Sequence, residues 1–171
     1  MPIPDFLRRI RARIGHDYVL LPAVAAIVER EDGRVLLLRR ADNGEWSLPS
    51  GICEPGEDPS HTICREILEE TGLFARPTKL LAVFGGPRVS YPNGDLAEYV
   101  TTLFRCEVLG GTLAPLDGEA LELRFVEPAD VPPLSIDPHL PRPLLELLEG
   151  PGGEFPWSED WLGDEPGQPA P

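Results

Sequence analysis

Glu66, Glu69 and Glu70 lie within five positions of one another, directly behind Arg65, in the stretch GICEPGEDPSHTICREILEETGL, which spans residues 51–73 and holds six carboxylates. On a helix, residues three and four apart share a face, so these three acids project together over an arc of about 100°. Ile63, Cys64, Ile67 and Leu68 cover much of the remainder. Two carboxylates about 5 Å apart repel by roughly 3 kcal/mol at an effective dielectric of about 20. Glu69 and Glu70 also occupy the last turn before Gly72, where the helix dipole prefers cations by roughly 0.3–1 kcal/mol per charge. Stability alone does not choose this arrangement. A divalent cation reverses the sign, because Mg²⁺ takes hard oxygen ligands and clustered carboxylates suit it far better than they suit Zn²⁺. The plain alternative is a solvated helical face with Arg65 as a neutralising neighbour.

The elements that must carry these residues can be read around them. PSHTICREILEETG reads as a helix with Asp58 as cap, Pro59 in the first turn and Gly72 as the stop. The preceding NGEWSLPSGICEPGED, dense in Gly, Pro and Asp, reads as loop. Upstream, YVLLPAVAAIVER and RVLLLRR read as two strands of a hairpin turned at EDG. Asp5 is expected to cap a short N-terminal helix that turns Phe6, Ile10 and Ile14 inward. Downstream, KLLAVFGG, AEYVTTLFRCEVLGG and ALELRFVEP read as strands, with PRVSYPNGD as a loop between the first two. HLPRPLLELLEG reads as a terminal helix. Strands mixed with helices in this way predict an α/β sandwich. Residues 151–171 read as an acidic, Gly/Pro-rich and mobile tail in which Phe155, Trp157 and Trp161 are candidates for docking.

Composition bounds the partners. With 171 residues and 42% hydrophobic content, the chain suits one domain with its own core. No apolar run reaches the length of a membrane span and no secretory signal is visible, so the expected compartment is the cytoplasm. Cys53, Cys64 and Cys106, at scattered spacings, read as reduced thiols. A formal charge of -14 argues against a nucleic-acid partner, whose binding needs a basic surface. The same charge repels small anions, so phosphate chemistry here has to be metal-mediated.

The spacing then becomes specific. Gly51, five residues, Glu57, seven residues, Arg65-Glu66, apolar Ile67, one residue, Glu69-Glu70, one residue, Gly72 and apolar Leu73 is a complete Nudix box. Seven fixed positions at average residue usage would arise in such a chain with a probability on the order of one in a million. The sequence therefore resembles the Nudix hydrolase family. That resemblance implies an α/β/α sandwich with a mixed β-sheet over residues 1–150, including the N-terminal helix. It also implies hydrolysis of a pyrophosphate bond in a nucleoside diphosphate joined to another group, such as ADP-ribose, with Mg²⁺ as cofactor and Mn²⁺ able to substitute.

Carried over residue by residue, the resemblance makes Glu66 and Glu70 the principal metal ligands. Glu69 completes the cluster, Glu57 reaches it directly or through water, and Ser50 offers a backbone carbonyl. Arg65 would orient the acids, which suits a guanidinium able to bridge two carboxylates. Ser50 stands where most members have glycine, which raises a conformational question, since only glycine takes φ > 0 cheaply. For the general base, Asp117, Glu119 and Glu122 are available, and Glu119 fits best by its distance from the following strand; an ordinary loop acid is an equal reading. Arg39 or Arg40 is expected to meet phosphate. Arg88, Tyr91 and Asn93 are expected to recognise the nucleotide, Tyr91 by stacking, against the plainer reading of a hairpin turn. Trp46 is either a substrate platform or a residue packed under its loop. A pyrophosphatase acting on damaged nucleoside triphosphates and a non-catalytic ligand-binding module are the alternative functions. The expected partner is a small nucleotide, with no membrane, and a homodimer is left open as an assembly.

Overall fold

The computed structural model describes residues 3–116, 118–131 and 143–153. Asp117, which the sequence offered as a base, lies outside the described residues, as do Phe155, Trp157 and Trp161. The helix that carries the acids, α2, runs Pro59–Thr71. Asp58 holds the N-cap position in extended backbone, but its side chain makes no capping hydrogen bond. Gly72 ends the helix in the left-handed region at φ 71°, and its N–H donates to the Leu68 carbonyl. A Cβ at Gly72 would also lie 2.5 Å from the Thr112 carbonyl oxygen, so glycine is required there on two counts.

A mixed sheet underlies α2. Strand β1, Val19–Glu29, turns into β2, Val35–Arg40, through an antiparallel hairpin. On its other edge β1 runs parallel to β7, Leu96–Gly111, from Val19↔Ala97 to Glu29↔Glu107. Strand β5, Leu73–Gly85, extends the sheet antiparallel to β7, and β8, Ala120–Val126, pairs with β2. Successive residues of β1 feed opposite cores. Val24, Ala26 and Val28 pack with Ile63 and Ile67 of α2, whereas Ala25 and Ile27 pack with Leu144 and Leu147 of helix α3, Leu144–Glu149. The sheet thus lies between two helical layers, and β1 is apolar on both faces, as a strand buried on both sides must be. None of the helices described is long and apolar enough to cross a membrane.

Several elements differ from the sequence reading. The stretch read as loop before α2 contains two short strands, β3, Trp46–Ser47, and β4, Ser50–Ile52. Because β1 outruns its hairpin partner, an open edge at Ala23–Ala25 remains, and β4 fills it with Ala25↔Ser50 and Ala23↔Ile52 pairs. Strand β5 begins at Leu73, six residues ahead of the expected Lys79, since Leu73 and Ala75 enter the core beneath α2. The intervening Pro77, which masks the strand pattern, sits at a register shift. The N-terminal helix, α1, runs Asp5–Ile14 with Pro4 at the N-cap, so Asp5 belongs to its first turn. Leu7, not Ile10 or Ile14, is its buried residue, against Leu21 and Ala97. The 87–95 loop contains a two-residue strand, β6, Val89–Ser90, paired with β7.

Candidate active site

Arg65 organises the acidic face of α2. Its Nε donates to Glu57 Oε1 at 2.8 Å and its Nη2 to Glu57 Oε2 at 2.9 Å, a bidentate pair. Its Nη1 donates to Glu66 Oε1 at 2.8 Å and to Glu69 Oε2 at 3.2 Å, and its Nη2 also reaches the Ile52 carbonyl at 3.3 Å. One guanidinium therefore ties three acids to β4. Glu57 is held further by Thr62 Oγ1 at 3.0 Å and by the Glu54 amide at 3.1 Å. Its carboxyl is drawn down to about 2, chiefly by the Arg65 hydrogen bonds. The Arg65 guanidinium is raised in turn, chiefly by Glu57.

Glu66 and Glu70 are buried, at 1% and 6% exposure, in a helix whose polar face would otherwise meet water. Burial pushes the Glu66 carboxyl up to about 7, against the opposing pull of Arg65. Gly51 explains how Glu66 fits: a Cβ there would lie 2.0 Å from Glu66 Cδ, so the box glycine is a seat for the carboxylate. The Ser50 amide donates to Glu70 Oε2 at 3.2 Å. Ser50 itself is ordinary strand backbone, since every positive φ among the described residues belongs to a glycine. The serine therefore introduces no backbone strain at this position.

The donor set suits a hard cation in its chemistry, with three carboxylates around Arg65, a fourth, Glu70, at the Ser50 amide, and a strand carbonyl at Ser50. As they stand, no three acid, His or Cys side chains among the described residues are gathered at metal-ligand spacing. Glu66 faces Arg65, and Glu70 faces the Ser50 amide.

The remaining candidates divide by their partners. Arg40, at the end of β2, is clamped by Asp42 at 2.9 and 2.6 Å, and its guanidinium is raised chiefly by Asp42, with smaller contributions from Tyr91 and Glu70. The Tyr91 hydroxyl shares a hydrogen bond with the hydroxyl of Tyr99, whose ionisation is raised chiefly by burial. Arg40, Tyr91, Tyr99 and Glu70 thus belong to one neighbourhood. The segment bearing half-buried Glu119 is tied to it by the Ala41 amide, which donates to the Glu119 carbonyl at 2.7 Å, and by the Arg40↔Ala120 pairing. Glu122 turns instead to Arg124 and lies 3.9 Å from Arg39. Arg88 lies over the Tyr18 ring at 5.1 Å, with Glu98 at 3.5 Å. Asn93 forms a side-chain turn, its Oδ1 accepting from the Asp95 amide at 3.1 Å and its Nδ2 donating to the Asp95 carboxylate at 2.9 Å. Trp46 packs against the core beneath its loop, with Arg124 over its ring.

Tyr99, Thr62 and Asp42 were not singled out from the sequence. Thr62 sits five residues beyond Glu57 on the helical face that meets the loop, a signal available in principle. Tyr99 carried none, because its place follows from the parallel register Leu21↔Tyr99.

A family model described as NUDIX domain matches residues 19–148. A MutT-like protein of Streptomyces ambofaciens is 35% identical over 130 residues, covering 76% of this chain and 78% of its own. An ADP-ribose pyrophosphatase of Methanocaldococcus jannaschii is 37% identical over 123 residues, 69% of each chain. Among solved structures, a UDP-X diphosphatase superposes with a TM-score of 0.63 at 26% identity, covering 88% of this chain and 73% of that one. An ADP-ribose pyrophosphatase of Streptococcus suis gives a TM-score of 0.60 at 25% identity, covering 79% and 96%.

Proposed function

This chain belongs to the NUDIX domain family of pyrophosphohydrolases, and we propose that it hydrolyses the pyrophosphate bond of a nucleoside diphosphate linked to a second group, of the ADP-ribose type. The observation that carries this reading is the single arginine, Arg65, holding Glu57, Glu66 and Glu69 against β4 beside the buried Glu70. Arg65 and Glu57 act as the positioning pair, since both Glu57 oxygens are already engaged by Arg65, Thr62 and the Glu54 amide. Glu66, Glu69, Glu70 and the Ser50 carbonyl would hold Mg²⁺, or Mn²⁺ in its stead. When bound, such an ion supplies charge neutralisation on the phosphate oxygens and an activated water. Glu119 takes the proton from the attacking water, its segment fastened beside Arg40 by the Ala41 amide. Arg40, kept cationic by Asp42, receives a substrate phosphate, and Tyr91 stacks on the base. Arg39, Arg88 and Asn93 contribute less, because Glu122, Glu98 and the turn at Asp95 already engage them.

Similarity, at 31% identity over 124 residues, to a Bacillus subtilis protein named for 8-oxo-dGTP diphosphatase activity favours a second reading, a pyrophosphatase of damaged nucleoside triphosphates. Incubating the protein with Mg²⁺ and a panel of ADP-ribose, nucleotide sugars, dinucleotides, CoA and nucleoside triphosphates, with products identified by mass, separates the two. ADP-ribose yielding AMP and ribose 5-phosphate supports the first. Turnover confined to triphosphates, releasing pyrophosphate, supports the second. Tight binding without turnover in either Mg²⁺ or Mn²⁺ would leave a ligand-binding module and end both.

A further inference from the structure

On α1 the charge sign reverses. Phe6, Arg9, Ile10 and Arg13 stand at the three- and four-residue spacings that share a helix face, and with Pro55 they line an open groove of about 400 Å³. Arg8 is paired with Asp5, and Arg11 reaches Asp95 at 3.6 Å. Among the described residues Arg9 and Arg13 make no ion pair, although the chain carries a net charge of -14. Two exposed guanidiniums beside Phe6, Ile10 and Pro55 make a cationic rim on an apolar floor. Such a groove is complementary to a segment that is both acidic and aromatic.

One segment of this chain has that chemistry. Residues 154–171 contain Glu154, Glu159, Asp160, Asp164 and Glu165, no Lys or Arg, and the aromatic residues Phe155, Trp157 and Trp161. We propose that this segment docks in the α1 groove of its own chain, with its acids on Arg9 and Arg13 and its tryptophans on Phe6, Ile10 and the guanidinium faces. The reach is sufficient. The segment departs from Gly153, whose amide donates to the Leu80 carbonyl at 3.0 Å, at the level of Phe104 on β7. Leu7 of α1 packs at Ala97 of the same strand, about 23 Å away at roughly 3.3 Å per residue. An extended chain of the segment's length spans about 60 Å. Docked there, it covers Pro55, two residues before Glu57 in the loop that feeds the acidic cluster.

Tryptophan emission from the full chain tests this. The chain has 3 tryptophans, so a Trp46→Phe background leaves only Trp157 and Trp161. At low salt their quenching by acrylamide should be weak, and Arg9→Glu with Arg13→Glu should raise the quenching constant about threefold. Glu159→Arg with Asp160→Arg should do the same, and combining the four substitutions should restore protection. That charge swap keeps the test decisive even if the arginine reversal alone disturbs α1. Tryptophans as quenchable as the free amino acid in the unreversed chain would overturn the proposal, and so would protection that the reversal leaves intact. Protection that rises with protein concentration would assign the segment to a neighbouring copy. An oligoadenylate that binds through Arg9 and Arg13 without exposing the tryptophans would give the groove to nucleic acid instead.

Discussion

Arg65 and Glu66 are consecutive residues with opposite problems. The guanidinium is stabilised by surrounding acids, whereas the carboxylate is destabilised by burial and relieved only in part by its neighbour. Glu66→Gln and Glu70→Gln should each lower Mg²⁺-dependent turnover by about a hundredfold or more, since each removes a charge from the proposed ion site. Undiminished turnover in excess chelator would contradict that. Without metal the sign differs. The folded-state pKa of Glu66, about 7, lies above its ordinary 4.5, so the native state holds this proton more tightly than the unfolded chain does. Its contribution is intact below about pH 4.5 and is lost as the pH rises to about 7, by an amount on the order of 3 kcal/mol. In chelator the stability advantage of Glu66→Gln over the parent should therefore grow from pH 5 to pH 8, as followed by denaturant unfolding; parallel profiles would refute the burial argument. The acids and Arg65 were legible because helical periodicity alone brings residues 65, 66, 69 and 70 to one side. Tyr99 was not, because its place opposite Leu21 follows from the parallel register of β1 and β7, which no local pattern reveals.

At the scale of elements, the site is a helix pressed onto one short strand. Spacing revealed α2 and its stop at Gly72, yet it hid β4, whose existence depends on the unpaired edge of β1. For that reason the box glycine could be recognised in the sequence without its reason. Gly51→Ala would put a methyl group where Glu66 now sits, and Glu66 has no solvent to move into. Turnover should fall by about a hundredfold, in line with the cost of displacing a catalytic group by about 1 Å. Gly86→Ala, with open space around its Cβ and no positive φ, should leave turnover unchanged. Equal effects at the two glycines would remove the seat argument. The β6–β7 hairpin offers a second test. Tyr91 is 41% exposed and bonded through its hydroxyl to Tyr99, so Tyr91→Ala should raise KM by roughly ten- to a hundredfold through lost stacking. A lowered Tm with KM unchanged would mean that the ring only braces the hairpin.

Over the whole molecule, the formal charge of -14 acts on any nucleotide before a single contact forms. The substrate is itself an anion, so its approach is opposed at long range, and the proposed contact with Arg40 acts only at short range. Screening separates these two ranges. At about 0.15 M ionic strength the Debye length is about 8 Å, short enough to mute charges across the molecule but not a phosphate in direct contact with a guanidinium. With free Mg²⁺ held saturating, kcat/KM for the preferred nucleotide should rise modestly, about twofold to threefold, as monovalent salt increases from about 0.02 to 0.15 M. Arg40→Ala should lower kcat/KM at every salt concentration while leaving that upward slope in place, because the substitution removes the contact and not the surrounding field. A steep fall with salt in the parent would mean that local cations outweigh the net charge even at a distance. In that case the arginines of α1 would belong to the path by which substrate arrives, and the low-salt rate should drop in the Arg9→Glu, Arg13→Glu chain.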